Sequence, residues 1–170
     1  MTTIAITGLP GSGKTHLATA LSLALQARGD ASLLLHTDLL KVTLRQFDLP
    51  LTGPTYRGDI AAKLAAVRPY LEAQVAKAQR DRYYLVIEGT LALGFQPASG
   101  GSVCLELPAA ERQRRIASKP IAARASLATS DLTAYAQLLR QQTPVAALRL
   151  DAMQPVAAQV QAILSAIAPA

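Results

Sequence analysis

Hydrophobic residues along the chain occur in two patterns, short continuous runs and longer stretches with helical spacing. The short runs predict five strands, over residues 3–7, 31–36, 83–87, 102–107 and 147–150. The longer stretches predict helices over residues 16–28, 39–45, 60–80, 108–118, 130–142 and 155–167. Strands that alternate with helices indicate an α/β fold, in which a parallel sheet is covered by helices on both faces.

Polar residues and proline refine the predicted helices. Asp59 is expected to cap the long third helix, and Pro69 inside it predicts a kink or a break because proline donates no backbone hydrogen bond. Thr37 and Asp38 are expected to open the second helix, and residues 130–131 the fifth. Glycine and proline make residues 47–58 a predicted loop.

Residues 8–15 have the sequence GLPGSGKT, which fits the P-loop pattern G-x-x-x-x-G-K-[ST] at every fixed position. The stretch lies between a predicted strand and a predicted helix, where backbone N–H groups and the helix dipole favour an anion. Lys14 can reach the β- and γ-phosphates of a nucleotide, and the Thr15 hydroxyl can ligate Mg²⁺. The predicted nucleotide-binding residues are Gly8, Pro10, Gly11, Ser12, Gly13, Lys14, Thr15 and His16. Packing or exposure to solvent explains His16 better than catalysis does.

Composition narrows the classes of protein that fit. The chain has 170 residues, of which 51% are hydrophobic, so one domain with a substantial core is expected. The single cysteine, Cys104, excludes an internal disulfide, and we find no signal peptide or membrane-spanning run, so we expect a cytoplasmic location and no membrane partner. The formal charge of +6 permits nucleic acid, an anionic membrane or phosphorylated small molecules as partners, but a solvated surface with a phosphate-binding site is favoured, because no contiguous basic block or interleaved aromatic series is present.

Ligands of parallel α/β sheets bind outside the carboxyl ends of the strands, and several polar residues are predicted to lie there. Asp38 follows the second strand and can accept the proton of a substrate hydroxyl while a phosphoryl group arrives from the P-loop. Lys41 and Arg45 can hold an anionic substrate. The alternative is that Asp38 only caps the short helix, although Thr37 also suits that role.

Glu88 ends the third strand, where a Walker B acid would lie. It can orient Mg²⁺ through water or act as the base itself, and the alternative is a structural acceptor for loop N–H groups. Thr90 can hydrogen-bond a phosphate, or it is simply a turn residue. His36 lies near Asp38, but the sequence assigns it no role.

A series of basic residues crosses the fourth helix and the loop after it. Its members are Arg112, Arg114, Arg115, Lys119 and Arg124. Phosphoryl transfer needs positive charge on the migrating group, usually from a mobile element that also excludes water. Arg115, Lys119 and Arg124 are nearest the loop, so these three are the predicted catalytic members and residues 119–129 are the predicted lid. The alternative is a solvated basic helix face.

Taken in this order, the motifs resemble those of the small P-loop kinases grouped around zeta-toxin-like, polynucleotide-kinase-like and adenylylsulfate-kinase-like proteins. The resemblance covers most of the chain and starts with the P-loop. Residues 38–41 stand where the family often has D-x-x-R, and residues 88–90 where it tends to have an Asp-x-Thr strand end. A basic helix, a lid-like loop, and residues 130–131 and 150–151 follow.

The resemblance implies a P-loop NTPase three-layer sandwich in a single domain over residues 1–170, with a five-stranded parallel sheet in the order 2-3-1-4-5. It also implies ATP with Mg²⁺, phosphorylation of a hydroxyl, Asp38 at the acceptor, and Arg115, Lys119 or Arg124 as lid residues. Two positions depart from the family pattern. Lys41 replaces the usual arginine and so loses a bidentate fork, and Glu88 replaces the usual aspartate, which moves the carboxylate outward by a methylene.

The predicted function is that of an ATP-dependent kinase that phosphorylates a hydroxyl of a small anionic metabolite. The predicted catalytic residues are Lys14, Asp38, Glu88, Arg115, Lys119 and Arg124. The predicted substrate-binding residues are Asp38, Lys41, Arg45 and Thr90, and the predicted metal ligands are Thr15 and Glu88. One alternative is a nucleotide-binding regulatory or partner-binding ATPase module with weak or no kinase activity, which the two departures favour. A less favoured alternative is a polynucleotide 5′-kinase, which the charge permits but for which stacking aromatics are lacking.

Overall fold

The protein is built on one sheet of five strands, here described from a computed structural model. The structure describes residues 2–47, 49, 51, 53, 58–118 and 129–167. The strands are β1 (Thr3–Gly8), β2 (Ser32–His36), β3 (Tyr84–Glu88), β4 (Gly100–Glu106) and β5 (Leu148–Asp151). All neighbouring strands are parallel and their order is β2-β3-β1-β4-β5, which confirms the predicted fold class and strand order.

Helices connect the strands. They are α1 (Lys14–Ala27), α2 (Thr37–Leu44), α3 (Ile60–Asp81), α4 (Ala109–Ala117), α5 (Thr129–Gln142) and α6 (Val156–Ala166). Short 3₁₀ turns follow α2 at Arg45–Phe47 and β3 at Thr90–Ala92. Because the strands are parallel, their carboxyl ends share one edge of the sheet, and the P-loop, the start of α2 and the end of β3 lie at that edge.

Hydrophobic packing on both faces of the sheet produces three layers. Successive residues of β3 point to opposite faces, so Leu85 and Ile87 join one core cluster and Val86 joins the other. The first cluster includes buried residues of α2, α3 and α5, and the second includes buried residues of α1 and α6. Cys104 is buried in β4 in the first cluster, as the sequence predicts.

The long helix α3 runs from Ile60 to Asp81 with Pro69 inside it, so the predicted break at this proline is wrong. Pro69 and Ala65, the residue whose carbonyl loses its usual partner, are both exposed. Water can therefore replace the missing hydrogen bond while the opposite face of the helix stays packed. The predicted cap is confirmed, because the Asp59 side chain accepts a hydrogen bond from the Ala62 N–H over 2.9 Å.

The starts of three other helices differ from the sequence prediction. The first helix begins at Lys14, two residues before the predicted start, because Gly13 takes the capping position. The second begins at Thr37 and is preceded by His36, so neither Thr37 nor Asp38 is its cap. Residues 130–131 lie inside the fifth helix, which is described from Thr129, rather than before it.

Several predictions fall on residues outside the described ranges. They include Lys119, Arg124 and residues 119–128 of the predicted lid, and Thr129, the last residue of that segment, lies in α5. The extent of the domain and the lid therefore stay predictions. Among the helices that the structure describes, none is long and apolar enough to cross a membrane.

Candidate functional site

The P-loop joins the carboxyl end of β1 directly to the first turn of α1. Gly13 occupies the cap of α1 with φ 97° and ψ 15°, a left-handed conformation that favours glycine. No side chain caps the helix and its first turn contains no acidic residue, so the first N–H groups remain available to an anion. The Lys14 side chain is 9% exposed, and its Nζ donates to the Leu9 carbonyl over 3.1 Å.

The other predicted nucleotide-binding residues surround this helix start. Thr15 and His16 are exposed, whereas Gly8 and Ser12 are buried. Gly8 closely approaches Ser12, because a Cβ atom on Gly8 would lie 2.9 Å from the Ser12 Oγ. That hydroxyl has no hydrogen-bond partner in the described part of the chain. Gly11 and Pro10 are partly buried on the loop between them.

Helix α4 packs over the P-loop and brings Arg115 to the nucleotide side. Arg115 Nη1 lies 3.8 Å from the position that a Cβ atom on Gly13 would occupy. The guanidinium is held from two sides, since Nε donates to Glu111 Oε1 over 2.8 Å and Nη2 donates to the Ala152 carbonyl over 3.2 Å. Arg115 is thus one of the described members of the basic series that lie at the P-loop.

The neighbouring arginines of α4 divide between the P-loop and solvent. Arg112 Cγ lies 3.6 Å from the Cβ position of Gly11, and its buried Nε has no partner among the described residues. Arg114 is 76% exposed and pairs with Glu111 through two bonds of 2.7 and 2.8 Å. The two arginines lower the pKa of Glu111 to about 2, chiefly through hydrogen bonds from Arg114 and then Arg115. Arg114 therefore fits the alternative interpretation of the basic series, in which its side chains form a solvated helix face.

Glu88 and His36 form a pair at the carboxyl ends of β3 and β2. The two residues are register partners on neighbouring parallel strands, and His36 Nδ1 lies 2.7 Å from Glu88 Oε1. The Glu88 side chain is 6% exposed and that of His36 is 29% exposed. Glu88 also pairs in register with Ile6 of β1, so its carboxylate lies one strand away from the P-loop.

The turn between β2 and α2 packs tightly against the end of β3. Thr37 is fully buried, and its Oγ1 has no hydrogen-bond partner among the described residues. A Cβ atom on Gly89 would lie only 2.1 Å from this Oγ1, and Gly89 has a φ of 125°. Only glycine fits here, so the start of α2 is fixed against the strand that carries Glu88.

Asp38 lies in the first turn of α2 with an exposed carboxylate. The cap of α2 is His36, with no side-chain cap hydrogen bond, which rules out the interpretation that Asp38 only caps the helix. Its negative charge acts on two neighbours, since it partly offsets the lowered pKa of Lys41 and adds to the raised pKa of Tyr135, where burial is the main cause. Asp38 therefore lies at the ligand edge without serving as the cap of α2.

Three cationic side chains, Lys41, Arg45 and Lys63, form a group in which Lys41 also interacts with the charge of Asp38. Lys41 Nζ and Arg45 Nη2 both donate to the Gly53 carbonyl, the latter over 3.3 Å, and Arg45 Nε donates to the Leu51 carbonyl over 2.8 Å. Lys41 and Lys63 are 8% and 5% exposed. Burial and then the charge of Arg45 lower the pKa of both lysines, so an anion placed among them would be strongly favoured.

Thr90 is buried in the 3₁₀ turn after β3, and its carbonyl accepts a hydrogen bond of 3.5 Å from the Tyr135 hydroxyl. The predicted contact between the Thr90 side chain and a phosphate stays a prediction.

Comparisons with known proteins agree with this geometry. Residues 1–79 match the family model of adenylylsulphate kinase. A sugar kinase from Janibacter sp. has a similar structure, with a TM-score of 0.68 and 17% identity over 100% of this chain and 99% of that one. The APS kinase of Mycobacterium tuberculosis, solved with AMPPNP and APS, gives a TM-score of 0.60 at 20% identity over 96% and 95% of the two chains.

A gluconokinase from Sinorhizobium meliloti gives a TM-score of 0.50 at 19% identity, over 98% of this chain and 91% of that one. Comparison with curated protein sequences gave no match. The family model matches less than half of the chain, and the structural matches show that the chain shares its fold with these kinases.

Three residues of the candidate site were given no role by the sequence, although two of them lie at positions that the sequence pattern makes recognisable. Lys63 lies on the apolar stripe of α3, three residues after Ile60 and four before Val67, where a lysine is unexpected. His36 ends the strand that the predicted order places beside Glu88. Glu111 had no signal, because its role depends on how α4 lies against the P-loop.

Proposed function

We propose that the protein is an ATP- and Mg²⁺-dependent kinase that transfers the γ-phosphoryl group to a hydroxyl of a small anionic metabolite. One observation carries this proposal: Asp38 lies in the first turn of α2 at the P-loop edge of the sheet, and its charge acts on Lys41, which forms a cationic group with Arg45 and Lys63. A nucleotide switch has no need of this second, acceptor-side group. The cytoplasmic location expected from the sequence is part of the same proposal.

The P-loop side would bind and neutralise the phosphates of ATP. The N–H groups at the start of α1 suit phosphate oxygens, and Lys14 at that turn suits the β- and γ-phosphates. Glu111 and the Ala152 carbonyl hold Arg115 beside Gly13. Its positive charge would stabilise the negative charge that develops on the transferred phosphoryl group.

The residues present fit a magnesium ion bound mainly through the nucleotide. Mg²⁺ in such sites takes one or two protein ligands, several waters and phosphate oxygens. Two residues can supply these ligands: Thr15, an exposed residue in the first turn of α1, and Glu88, whose buried carboxylate ends the strand next to β1. When bound, the ion would neutralise charge on the β- and γ-phosphates.

On the acceptor side, Asp38 would take the proton of the attacking hydroxyl, and the cationic group would hold the anionic part of the metabolite. Burial and then repulsion from Arg45 lower the pKa of Lys41 and Lys63, and a bound anion would offset the unfavourable charge of the two ammonium groups. Specificity for anionic acceptors follows from this arrangement, and a neutral acceptor of the same shape would leave the repulsion uncompensated.

The test is ADP formation from ATP and Mg²⁺ across a panel of small hydroxyl compounds, in matched pairs with and without a phosphate, sulfate or carboxylate group. We expect turnover with an anionic member. Replacing Lys63 by Met should raise the acceptor KM about 10- to 100-fold, the value of one charged hydrogen bond, and leave the KM for ATP unchanged. Lys77→Met, at an exposed position of the same helix, is the matched control. ADP formation that no acceptor accelerates would contradict the proposal.

The second candidate is a nucleotide-binding regulatory or partner-binding ATPase module. The observation that favours it is that Lys41 and Arg45 already donate to the carbonyls of Gly53 and Leu51. In that case the cationic group would only fix the segment after α2. The acceptor panel separates the two candidates, because this one gives slow ATP hydrolysis that is independent of any acceptor.

A further inference from the structure

The pair formed by His36 and Glu88 stands where the acceptor side meets the metal side. His36 is the last residue of β2 and lies two residues before Asp38, and Glu88 is the last residue of β3. Their side-chain contact of 2.7 Å joins these two strand ends. We propose that His36 is a positioning residue, which holds the Glu88 carboxylate in the orientation that serves the magnesium–nucleotide complex.

The geometry explains why Glu88 needs such a partner. A carboxylate turns readily about its terminal torsion, so burial alone does not fix the direction of its oxygens. Nδ1–H of His36 donates to Oε1 and fixes the group, and the contacts of Glu88 with other described side chains involve Oε1 and not Oε2. One oxygen is thus anchored and the other is left for a ligand or a metal-bound water.

The backbone of His36 is itself held in place. Strand register fixes the His36 backbone opposite Glu88. The next residue, Thr37, is packed so closely against Gly89 that position 89 has no room for a side chain. Because both ends of the contact are fixed by the sheet, a change at His36 acts on Glu88 and leaves the sheet itself in place.

A longer carboxylate is consistent with this arrangement. Glutamate at position 88 has one more rotatable bond than aspartate, and therefore more orientations to restrict. The inference rests on the proposed function, since it takes Glu88 as the carboxylate that faces the metal ion. It adds His36 as a residue that acts through Glu88 and to which we assign no contact with the nucleotide.

The test compares His36→Leu, His36→Asn, Glu88→Gln and the double variant His36→Leu/Glu88→Gln. The amide of asparagine can place an N–H near the position of Nδ1, whereas leucine has no donor. The primary readout is the affinity for Mn²⁺, a spectroscopic substitute for Mg²⁺, in the presence of a non-hydrolysable ATP analogue. Ser32→Ala is the matched control, because it removes a hydrogen bond of 2.8 Å to Ser22 at the opposite end of the same strand.

We expect His36→Leu to weaken Mn²⁺ binding about 10-fold, the lower end of what loss of an outer-shell partner causes, and His36→Asn to recover most of that loss. In the Glu88→Gln background, His36→Leu should have no further effect, because the two residues act through one contact. The control should bind Mn²⁺ like the unchanged protein.

A His36→Leu variant that lowers the melting temperature but binds Mn²⁺ normally would overturn the inference, since His36 would then only stabilise a buried carboxylate. Additive effects of His36→Leu and Glu88→Gln would overturn it as well. Metal affinity is measured without an acceptor, so the result stands even if no acceptor is ever phosphorylated. Failure of the proposed function is therefore distinguishable from failure of this inference.

Discussion

Asp38 combines an exposed carboxylate with a place in the first turn of a short helix. An acidic residue there interacts favourably with the helix dipole, but α2 takes its cap from His36 and uses no side chain for it. The carboxylate is therefore available to an acceptor, and the neighbouring cationic group offers a reason for an anionic acceptor to approach it.

Asp38→Asn keeps the size of the side chain, so fold and ATP affinity should survive. If Asp38 is the acceptor-side base, phosphoryl transfer to the true acceptor should fall about 10²–10⁴-fold, the usual contribution of a general base. The measurement is turnover with the acceptor alongside calorimetric ATP affinity.

Slow ATP hydrolysis by water supplies the internal control for this variant, because water does not use the acceptor site. It should change much less than acceptor phosphorylation does. Undiminished transfer in Asp38→Asn would remove the catalytic role, and Glu88 would become the next candidate base.

At the scale of elements, the junction between the β2–α2 turn and the end of β3 is the most constrained contact in the site. Gly89→Ala should destabilise the protein by at least about 2 kcal/mol, because it adds backbone strain at φ 125° to an overlap with Thr37 Oγ1. Chemical denaturation measures the free energy of unfolding.

Two further variants control the change at Gly89. Gly101→Ala should be tolerated, since Gly101 has no positive φ and an added Cβ there would meet no atom within 4 Å. Adding Thr37→Ala to Gly89→Ala should recover part of the loss by removing the overlapping hydroxyl. If Gly101→Ala costs as much as Gly89→Ala, the close contact is not the cause.

Helix α4 depends on the charge of Glu111 to hold Arg115 beside the P-loop. Hydrogen bonds from Arg114 and Arg115 lower the pKa of Glu111 from 4.5 to about 2 in the folded protein. Its contribution to stability is therefore complete above pH 4.5 and is lost as the pH falls towards about 2.

Glu111→Gln should lower the free energy of unfolding at neutral pH, and the difference from the unchanged protein should shrink to nothing between pH 4.5 and about 2. Urea denaturation across this range checks the sign. Asp30→Asn serves as a control, because its salt bridge with Arg28 lies at 3.6 Å in the turn at the opposite edge of the sheet. A difference that grows as the pH falls would contradict the assignment.

At the scale of the whole molecule, the alternation of strands and helices predicts the layers, and the strand order follows from the family resemblance. Apolar faces of α3 and α6 were predictable because hydrophobic burial imposes helical spacing on the sequence. Of the kink or break predicted at Pro69, the break is wrong, because the missing hydrogen bond faces water and the sequence does not show this, whereas the kink stays a prediction.

The candidate site was predictable where one stretch of chain forms it and less so where distant segments meet. The P-loop is local, so its pattern is sufficient. The cationic group joins α2 to α3, and the anchoring of Arg115 joins α4 to the Ala152 carbonyl after β5. Such contacts depend on the relative placement of elements, which hydrophobic periodicity does not specify.

The turn that joins α1 to β2 lies at the edge of the sheet opposite the P-loop. Gly29 in this turn is exposed, has a φ of 84°, and an added Cβ would meet no atom within 4 Å. Exposed turns of small residues accept insertions. A fluorescent reporter or an affinity tag spliced in after Gly29 would therefore lie far from the phosphates, so the protein can be immobilised on a surface with its nucleotide cleft facing the solution.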